Sequence, residues 1–457
     1  MSDARTLLIL GASGDLTARL LLPGLGGLVA AGDLEDLRLV GSDRAELDEE
    51  SWRGRVADAF AQAGASGPAV DAVAGSTRYV RADVTDAGDL RSLLDDCEPP
   101  VVIYFALPPA ITERACRALR EIGASEGTRL AMEKPFGHDA ASAATLNELL
   151  TSIVPEDHIH RVDHFLGIST VLNIVGLRFA NRILEPVLNA EHVARVQITF
   201  DESLGLEGRA GYYDGAGALI DMIQSHLLQV LALVAMEAPS TLEARDLRGS
   251  RAQVLRATHL WQDDPVRSSR RARYSAGSLE GRELPAYADE EGVDPGRKTE
   301  TFAEIVVAVD TWRWAGVPFH LRSGKAIGNP KTEVLVEFKD PPRLPAGFTG
   351  YQGPDHLRLG IAPGAGHLHL EINVNGPGDP VELDRATFEA GIGPGELHEY
   401  GEVLRRILAG DPTLSVRGDV AVDCWRIVEP VLEAWRRDEV PLQEYPAGSD
   451  GPEGVVG

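Results

Sequence analysis

Hydrophobic positions follow two rhythms along the chain. Over the first third, short apolar runs alternate with amphipathic stretches. The runs LLIL (7–10), LRLVG (37–41), STRYVRADV (76–84), VVIYFAL (101–107) and RLAME (129–133) predict five strands. A helix is predicted from the first glycine turn to about Ala31, and another over RACRALREIG, stopping at Gly123 as a C-cap. This βαβα order predicts a parallel sheet with helices on both faces. After about residue 165 the rhythm changes. LIDMIQSHLLQVLALVAME (219–237) predicts a long helix. FAEIVVAVDTWRW, PFHLRSG, TEVLVEF and HLHLEINVN alternate as strands of a mostly antiparallel sheet. The expected fold class is therefore α/β plus α+β. A doubly wound, Rossmann-type dinucleotide-binding domain spans 1–165, and an α+β substrate-binding and dimerisation domain spans 166–457. Residues 264–298, rich in Arg, Gly and acids, are predicted to form a long loop, and 445–457 a frayed tail.

Composition narrows the function classes. The chain has 457 residues, 44% hydrophobic and 25% charged, so it is globular rather than disordered and long enough for two or three domains. Its net charge of −26 repels phosphate backbones and anionic lipid, which speaks against nucleic-acid and membrane partners. No apolar run reaches the roughly 18 residues of a membrane span, and MSDARTLLILGASGDL does not read as a signal peptide. The three cysteines, Cys97, Cys116 and Cys424, have the spacing of neither a disulfide framework nor a zinc site, which points to the cytoplasm. No metal-ligand spacing is present. Only five of the 44 basic residues are lysine: Lys134, Lys298, Lys325, Lys331 and Lys339. A lysine that survives such a preference for arginine marks a place that needs a compact ammonium.

Candidate chemistry starts at the first turn. Gly11, Ala12, Ser13, Gly14, Asp15 and Leu16 lie between a strand and a helix. There, backbone N–H groups and a helix start hold a pyrophosphate, and small residues let the backbone approach it. The second strand ends in Asp43-Arg44. The Asp would accept from the ribose hydroxyl of NAD, the Arg would pair with the 2′-phosphate of NADP, and both readings stay open. His226 sits in the long apolar helix, where a plain core histidine is the competing reading. Asp221, five residues earlier, falls about 140° round an α-helix from it, so a carboxylate orienting His226 must come from elsewhere. Arg161-Val-Asp163-His164-Phe-Leu-Gly167 supplies a candidate where the first domain ends. Glu133-Lys134-Pro135-Phe-Gly137 stands at the carboxyl edge of the sheet, where doubly wound folds bind ligands.

Taken in order, these motifs resemble the glucose-6-phosphate dehydrogenase family over nearly the whole chain. They are GASGDL; FALPP at 105–109; EKPFG at 133–137; RVDHFLG at 161–167; FDESLGLEGRAGYYDGAGALIDMIQSHLLQ at 200–229; GVPFHLRSGKA at 316–326; RILAGDPTL; and PLQEYPAGSDGP. The resemblance implies oxidation of the C1 hydroxyl of glucose 6-phosphate to the lactone, with hydride passing to NADP (NAD being possible). It implies that His226 is the base and that Asp163 orients it and stabilises its charged form. Lys134, His164, Glu202, Asp221 and Lys325 are implied to bind substrate. Gly11 to Leu16, Arg44, Ala106 and Lys134 are implied to bind coenzyme, and the protein is implied to be a homodimer or homotetramer.

The departures fall on the phosphate side. Phe165 and Ile168 stand where the family has a phosphate-binding tyrosine and lysine, leaving His164 of that trio. A further lysine is lost near Arg19, and Pro330 stands where some members have arginine. Either other arginines (Arg161, Arg178 and Arg182 are candidates) rebuild the pocket, or the substrate is another aldose without the 6-phosphate. A third reading, a non-catalytic dinucleotide-binding subunit, conflicts with the intact set of Asp163, His226, Lys134 and the glycine turn.

Overall fold

The computed structural model describes residues 4–456 apart from 33, 35, 209, 365 and 455; Arg209 of the 200–229 motif thus lies outside the described residues. The chain divides into two compact units. The first comprises Met1–Ser169, Pro239–Ala252 and Gly395–Trp425; the second comprises Thr170–Ala238, Gln253–Pro394 and Arg426–Gly457.

The first unit is built on a seven-stranded sheet. Six strands are parallel: β1 (Thr6–Leu10), β2 (Arg38–Asp43), β3 (Arg78–Arg81), β4 (Val101–Phe105), β5 (Arg129–Glu133) and β6 (Ile159–Val162). Their spatial order is β6-β5-β4-β1-β2-β3, with the short strand Ser415–Val416 antiparallel against the outer edge of β6. β1 is central, with Ile9 opposite both Gly41 and Tyr104. Leu7, Leu8, Ile9 and Leu10 are all buried, as a strand covered on both faces must be. The order reverses at β1, so the ligand crevice of such a fold opens at the carboxyl ends of β1 and β4. The sequence pattern predicted five of these strands. β6 and the returning strand went unseen because they are short and polar, and their buried polar groups are satisfied by partners both near and far along the chain. Arg161 on β6 donates to Glu156 (2.9 Å) and to Val416 O (3.3 Å).

The second unit holds an eleven-stranded, mostly antiparallel sheet. Near its centre β7 (Val193–Asp201) pairs parallel with Phe319–Gly324 and antiparallel with Thr332–Phe338. Two expectations are corrected here. Part of the 264–298 segment is a strand, Ser269–Ser275, inside the sheet between Phe302–Val309 and Leu442–Pro446. Arg270 and Arg271 are buried rather than solvated. Arg270 pairs with Glu304 at 2.5 Å and donates to the carbonyls of Pro452, Glu453 and Gly454; Arg271 donates to Val440 O and Asp438. Nor do the described residues of the tail fray. Tyr445 is buried, Gly448 N–H donates to Ala326 O (2.8 Å), and Gly328 N–H to Ser449 O (2.9 Å).

The long helix differs in form from its prediction. It runs from Ala210 to Ala235, breaks at Gly217 (φ 69°), and is wound as a π-helix over Leu219–Leu227. By length and composition this run could cross a membrane, but 83% of its apolar window is buried inside the protein, as in a core helix.

Replacing Glu304 by Ala would strand the Arg270 charge. We expect a loss of about 3–5 kcal/mol in urea unfolding, the cost of breaking a buried ion pair.

Candidate active site

The candidate coenzyme side is the turn after β1. Gly11 has φ +90°, and a Cβ there would lie 2.1 Å from Ala106 O, so only glycine lets the two strand ends approach. The N–H groups of Gly11 and Ala12 donate to Ser42 O (2.9 and 3.2 Å), and Gly14 N–H closes the turn on Gly11 O (3.0 Å). Leu16 packs against the core, while Asp15 is exposed and pairs with Arg19 at 3.3 Å. The Ser13 hydroxyl donates to Asp43 (2.6 Å), and the Arg44 N–H donates to the same carboxylate (2.7 Å). Asp43 is thus tied to the turn. The Arg44 guanidinium stays exposed, 3.7 Å from Asp83. A cavity of about 250 Å³ has Gly11, Gly14, Asp43, Arg44, Asp83 and Arg114 among its lining. These residues fit a dinucleotide: the space beside Gly11 is one a side chain would fill, and two arginines reach the cavity. Sequence reasoning missed Arg114. Its signal is the position five residues past Pro109, on the helix Pro109–Ile122 that follows β4.

The same unit carries the EKPFG and RVDHFLG motifs. β5 ends in Glu133, followed by half-buried Lys134. Tyr104 donates to Glu133 at 2.6 Å, and the Tyr400 hydroxyl also bonds it. Desolvation pushes the Glu133 carboxyl up to about 7 against these bonds and the Lys134 charge. Asp163 caps the short 3₁₀ turn His164–Gly167, accepting from Phe165 N–H at 3.0 Å. Burial lifts its carboxyl to about 6, opposed by the charges of His164, Lys134 and Arg251. His164 is half-buried and stacked on Tyr400, with centroids 5.5 Å apart. Tyr400 also escaped sequence reasoning, because it lies far along the chain and returns to this unit only in the fold. Phe165 and Ile168 are buried. Two of the candidate replacements for the phosphate ligands are committed elsewhere. Arg161 is held by Glu156, and Arg178 pairs with Glu185 and donates to Leu233 O and Met236 O. Arg182 is exposed.

The second unit carries the remaining candidates. His226 is buried in the π-wound stretch. A π-turn closes its hydrogen bond five residues back rather than four, so residues five apart fall on one side of the helix. This corrects the α-helical expectation: Asp221 and His226 share a face. Lys325 lies just after the strand Phe319–Gly324 and pairs with Glu202 at 2.6 Å. Backbone bonds Glu202 N–H to Gly324 O (2.8 Å) and Ile327 N–H to Glu202 O (3.0 Å) lock the two segments together. Tyr445 donates to Lys325 O at 2.7 Å. At the Gly217 break, a Cβ would lie 2.3 Å from the Glu300 carboxylate, which accepts from Leu219 N–H (3.0 Å). Burial raises Glu300 to about 7.

Residues 8–173 match the glucose-6-phosphate dehydrogenase NAD binding domain, and residues 175–456 match the glucose-6-phosphate dehydrogenase C-terminal domain. The chain belongs to the glucose-6-phosphate dehydrogenase family. A relative named glucose-6-phosphate 1-dehydrogenase from Gluconobacter oxydans is 40% identical, over 97% of this chain and 94% of that protein. One from Zymomonas mobilis is 35% identical over 99% and 96%. A solved glucose-6-phosphate dehydrogenase in complex with glucose 6-phosphate is 30% identical, with a TM-score of 0.86 over 100% of this chain and 98% of that one. In this member of the glucose-6-phosphate dehydrogenase family, the glycine turn is the candidate coenzyme seat, and it leaves no room for a side chain at Gly11. Gly11→Ala should weaken binding of the reduced coenzyme by at least about tenfold, the clash with Ala106 and the strained φ costing about 1–3 kcal/mol. Coenzyme fluorescence titration reads this directly.

Proposed function

We propose that this protein oxidises the C1 hydroxyl of glucose 6-phosphate to the 6-phosphogluconolactone. The full-length likeness to enzymes named glucose-6-phosphate 1-dehydrogenase supports this reading most strongly. The protein is an NAD(P)-dependent oxidoreductase acting on CH–OH groups, and NADP, when bound, accepts the hydride that leaves C1. The chain's own residues supply the rest. His226 takes the proton of the C1 hydroxyl, a task suited to an imidazole because it titrates near working pH. By the family likeness, Asp163 orients that imidazole and stabilises it once charged. Lys325, Glu202 and Asp221 hold sugar hydroxyls, and Lys134 and His164 complete the substrate side. Gly11 to Leu16 and Ala106 seat the pyrophosphate. Arg44 takes the 2′-phosphate, a reading supported by Asp43 being occupied by Ser13 while Arg44 stays exposed.

The second reading, a C1 dehydrogenase for an aldose without the 6-phosphate, draws on Phe165 and Ile168. The test is reduced-coenzyme formation with glucose 6-phosphate and free glucose side by side. A clear preference for glucose 6-phosphate is the expected result, and equal or better use of glucose overturns it. His226→Asn should lower kcat by about 10²–10⁴-fold, the share general-base catalysis supplies, with coenzyme affinity unchanged.

The pH profile follows from Asp163. Its carboxyl is raised to about 6, so it is ionised at neutral pH and takes up a proton as the pH falls through that value. Only the carboxylate stabilises a charged imidazole. Turnover should therefore fall on an acid limb near pH 6, to which protonation of the base itself also contributes, and Asp163→Asn should remove most of the activity while leaving the base's own share of that limb.

We also propose a homodimer, working in a reducing cytoplasm. The dimer is supported by the pairing of Gly366–Asn375 with Glu382–Ile392. There Leu370, Ile372 and Val374 are only half-buried, and Phe388, opposite Leu370, is 59% exposed. Phe388→Asp should shift the sedimenting species toward the monomer; an unchanged dimer moves the interface elsewhere.

A further inference from the structure

Beside the Lys325–Glu202 pair lies a side chain to which the family likeness gives no role. Tyr213 is 3% exposed, on the helical stretch Ala210–Ala218 ahead of the π-wound segment. The Lys325 ammonium lies over its ring, 5.1 Å from the centroid. Tyr287 meets that ring edge-on (6.3 Å, 71°), and the Tyr287 hydroxyl is anchored on Asp214 at 2.8 Å. The Tyr213 hydroxyl is buried and has no hydrogen-bond partner among the described residues. A tyrosine kept for its hydroxyl would have found an acceptor, since a buried donor left unpaired is costly. The ring is the part that makes contacts.

We propose that Tyr213 is a positioning residue for Lys325: its ring is a platform that, together with Glu202, fixes the ammonium from two directions. Lysine carries a compact charge on a flexible four-carbon stem, so a single ion pair leaves it free to swing about that partner. The negative face of an aromatic ring supplies a second, differently directed attraction, strongest where water is excluded. Here the Lys325 side chain is 14% exposed and its ion-pair distance is 2.6 Å. Glu300, Asp221 and Glu202 all lie near the Tyr213 hydroxyl and, after burial itself, hold it un-ionised, so the ring never carries a charge of its own. The inference rests on the reading that Lys325 binds the sugar.

The test compares Tyr213→Leu, Tyr213→Phe, Lys325→Met and the double variant Tyr213→Leu/Lys325→Met. It measures kcat and KM for glucose 6-phosphate at saturating NADP, and NADP affinity by fluorescence. Tyr213→Leu should raise KM for the sugar about 5- to 30-fold, the equivalent of a desolvated cation–π contact, with NADP affinity unchanged. Tyr213→Phe, which keeps the ring, should restore KM to within about twofold of the parent. The double variant should be no worse in KM than Lys325→Met alone, because the platform has nothing left to hold. An unchanged KM in Tyr213→Leu while Lys325→Met raises it overturns the platform and leaves the sugar-binding reading standing. Single effects that multiply in the double variant also overturn it, as does a Phe variant as impaired as the Leu variant. An unchanged KM in Lys325→Met removes Lys325 from the sugar site and the proposal with it. Should Tyr213→Leu fail to fold, Tyr213→Met is read against the same outcomes.

Discussion

Buried guanidinium groups hold this molecule's distant segments together. A charge taken out of water must be matched by carboxylates and carbonyls, and the matching groups here come from far along the chain. Arg129 on β5 donates to Leu408 O at 2.7 Å, Arg161 on β6 reaches Val416 O, and Arg251 donates to Thr413 O at 2.9 Å. All three bonds end on one returning segment, 395–425, which is thereby riveted to the nucleotide sheet. Tyr400 and its stacking on His164 come with that segment. In the second unit Arg270 and Arg271 do the same for the last residues of the chain, and those residues support the segment that follows Lys325. Losing one of the first three arginines would leave carbonyls unmatched on a segment that is otherwise held by the apolar face of its helix, where Tyr400, Val403, Leu404, Ile407 and Leu408 join the core.

These guanidinium bonds also explain where the sequence could be read and where it could not. The five strands of the nucleotide sheet were legible because both faces are covered and the runs are simply apolar. SRRARYS was not, since nothing local distinguishes an arginine in solvent from one whose partners arrive from residues 304, 438 and 452–454. The tail was misread for the same reason: glycine and proline usually mark loose ends, and here they let the backbone pass close to Ala326 and Ser278.

Most of the candidate site was legible as motifs, because the chemistry needs named side chains at fixed offsets. Its geometry was not. An α-helical projection separates Asp221 from His226, whereas the wider winding over Leu219–Leu227 puts them on one face. Arg114 and Tyr400 carry no motif signal of their own, and Tyr213 lies inside the 200–229 motif without a role assigned by it. What marks them is what they touch: a cavity rim, an imidazole and an ammonium respectively. The phosphate side remains the least orthodox region, with Phe165 and Ile168 buried and both Arg161 and Arg178 tied into ion pairs.

The wide-wound stretch also constrains how this lineage can change. Winding of this kind arises when a helix accommodates one more residue than its hydrogen-bond ladder wants. Losing a single residue between Leu219 and Leu227 would let the stretch relax toward ordinary pitch, leaving the flanking helix in place and re-aiming the side chains inside the wide turns. Point substitutions there can be graded in effect, but a length change cannot. The segment holding His226 is thus a place where a one-codon deletion would re-aim that imidazole at a stroke, while insertions in the polar loops between strands would leave it untouched.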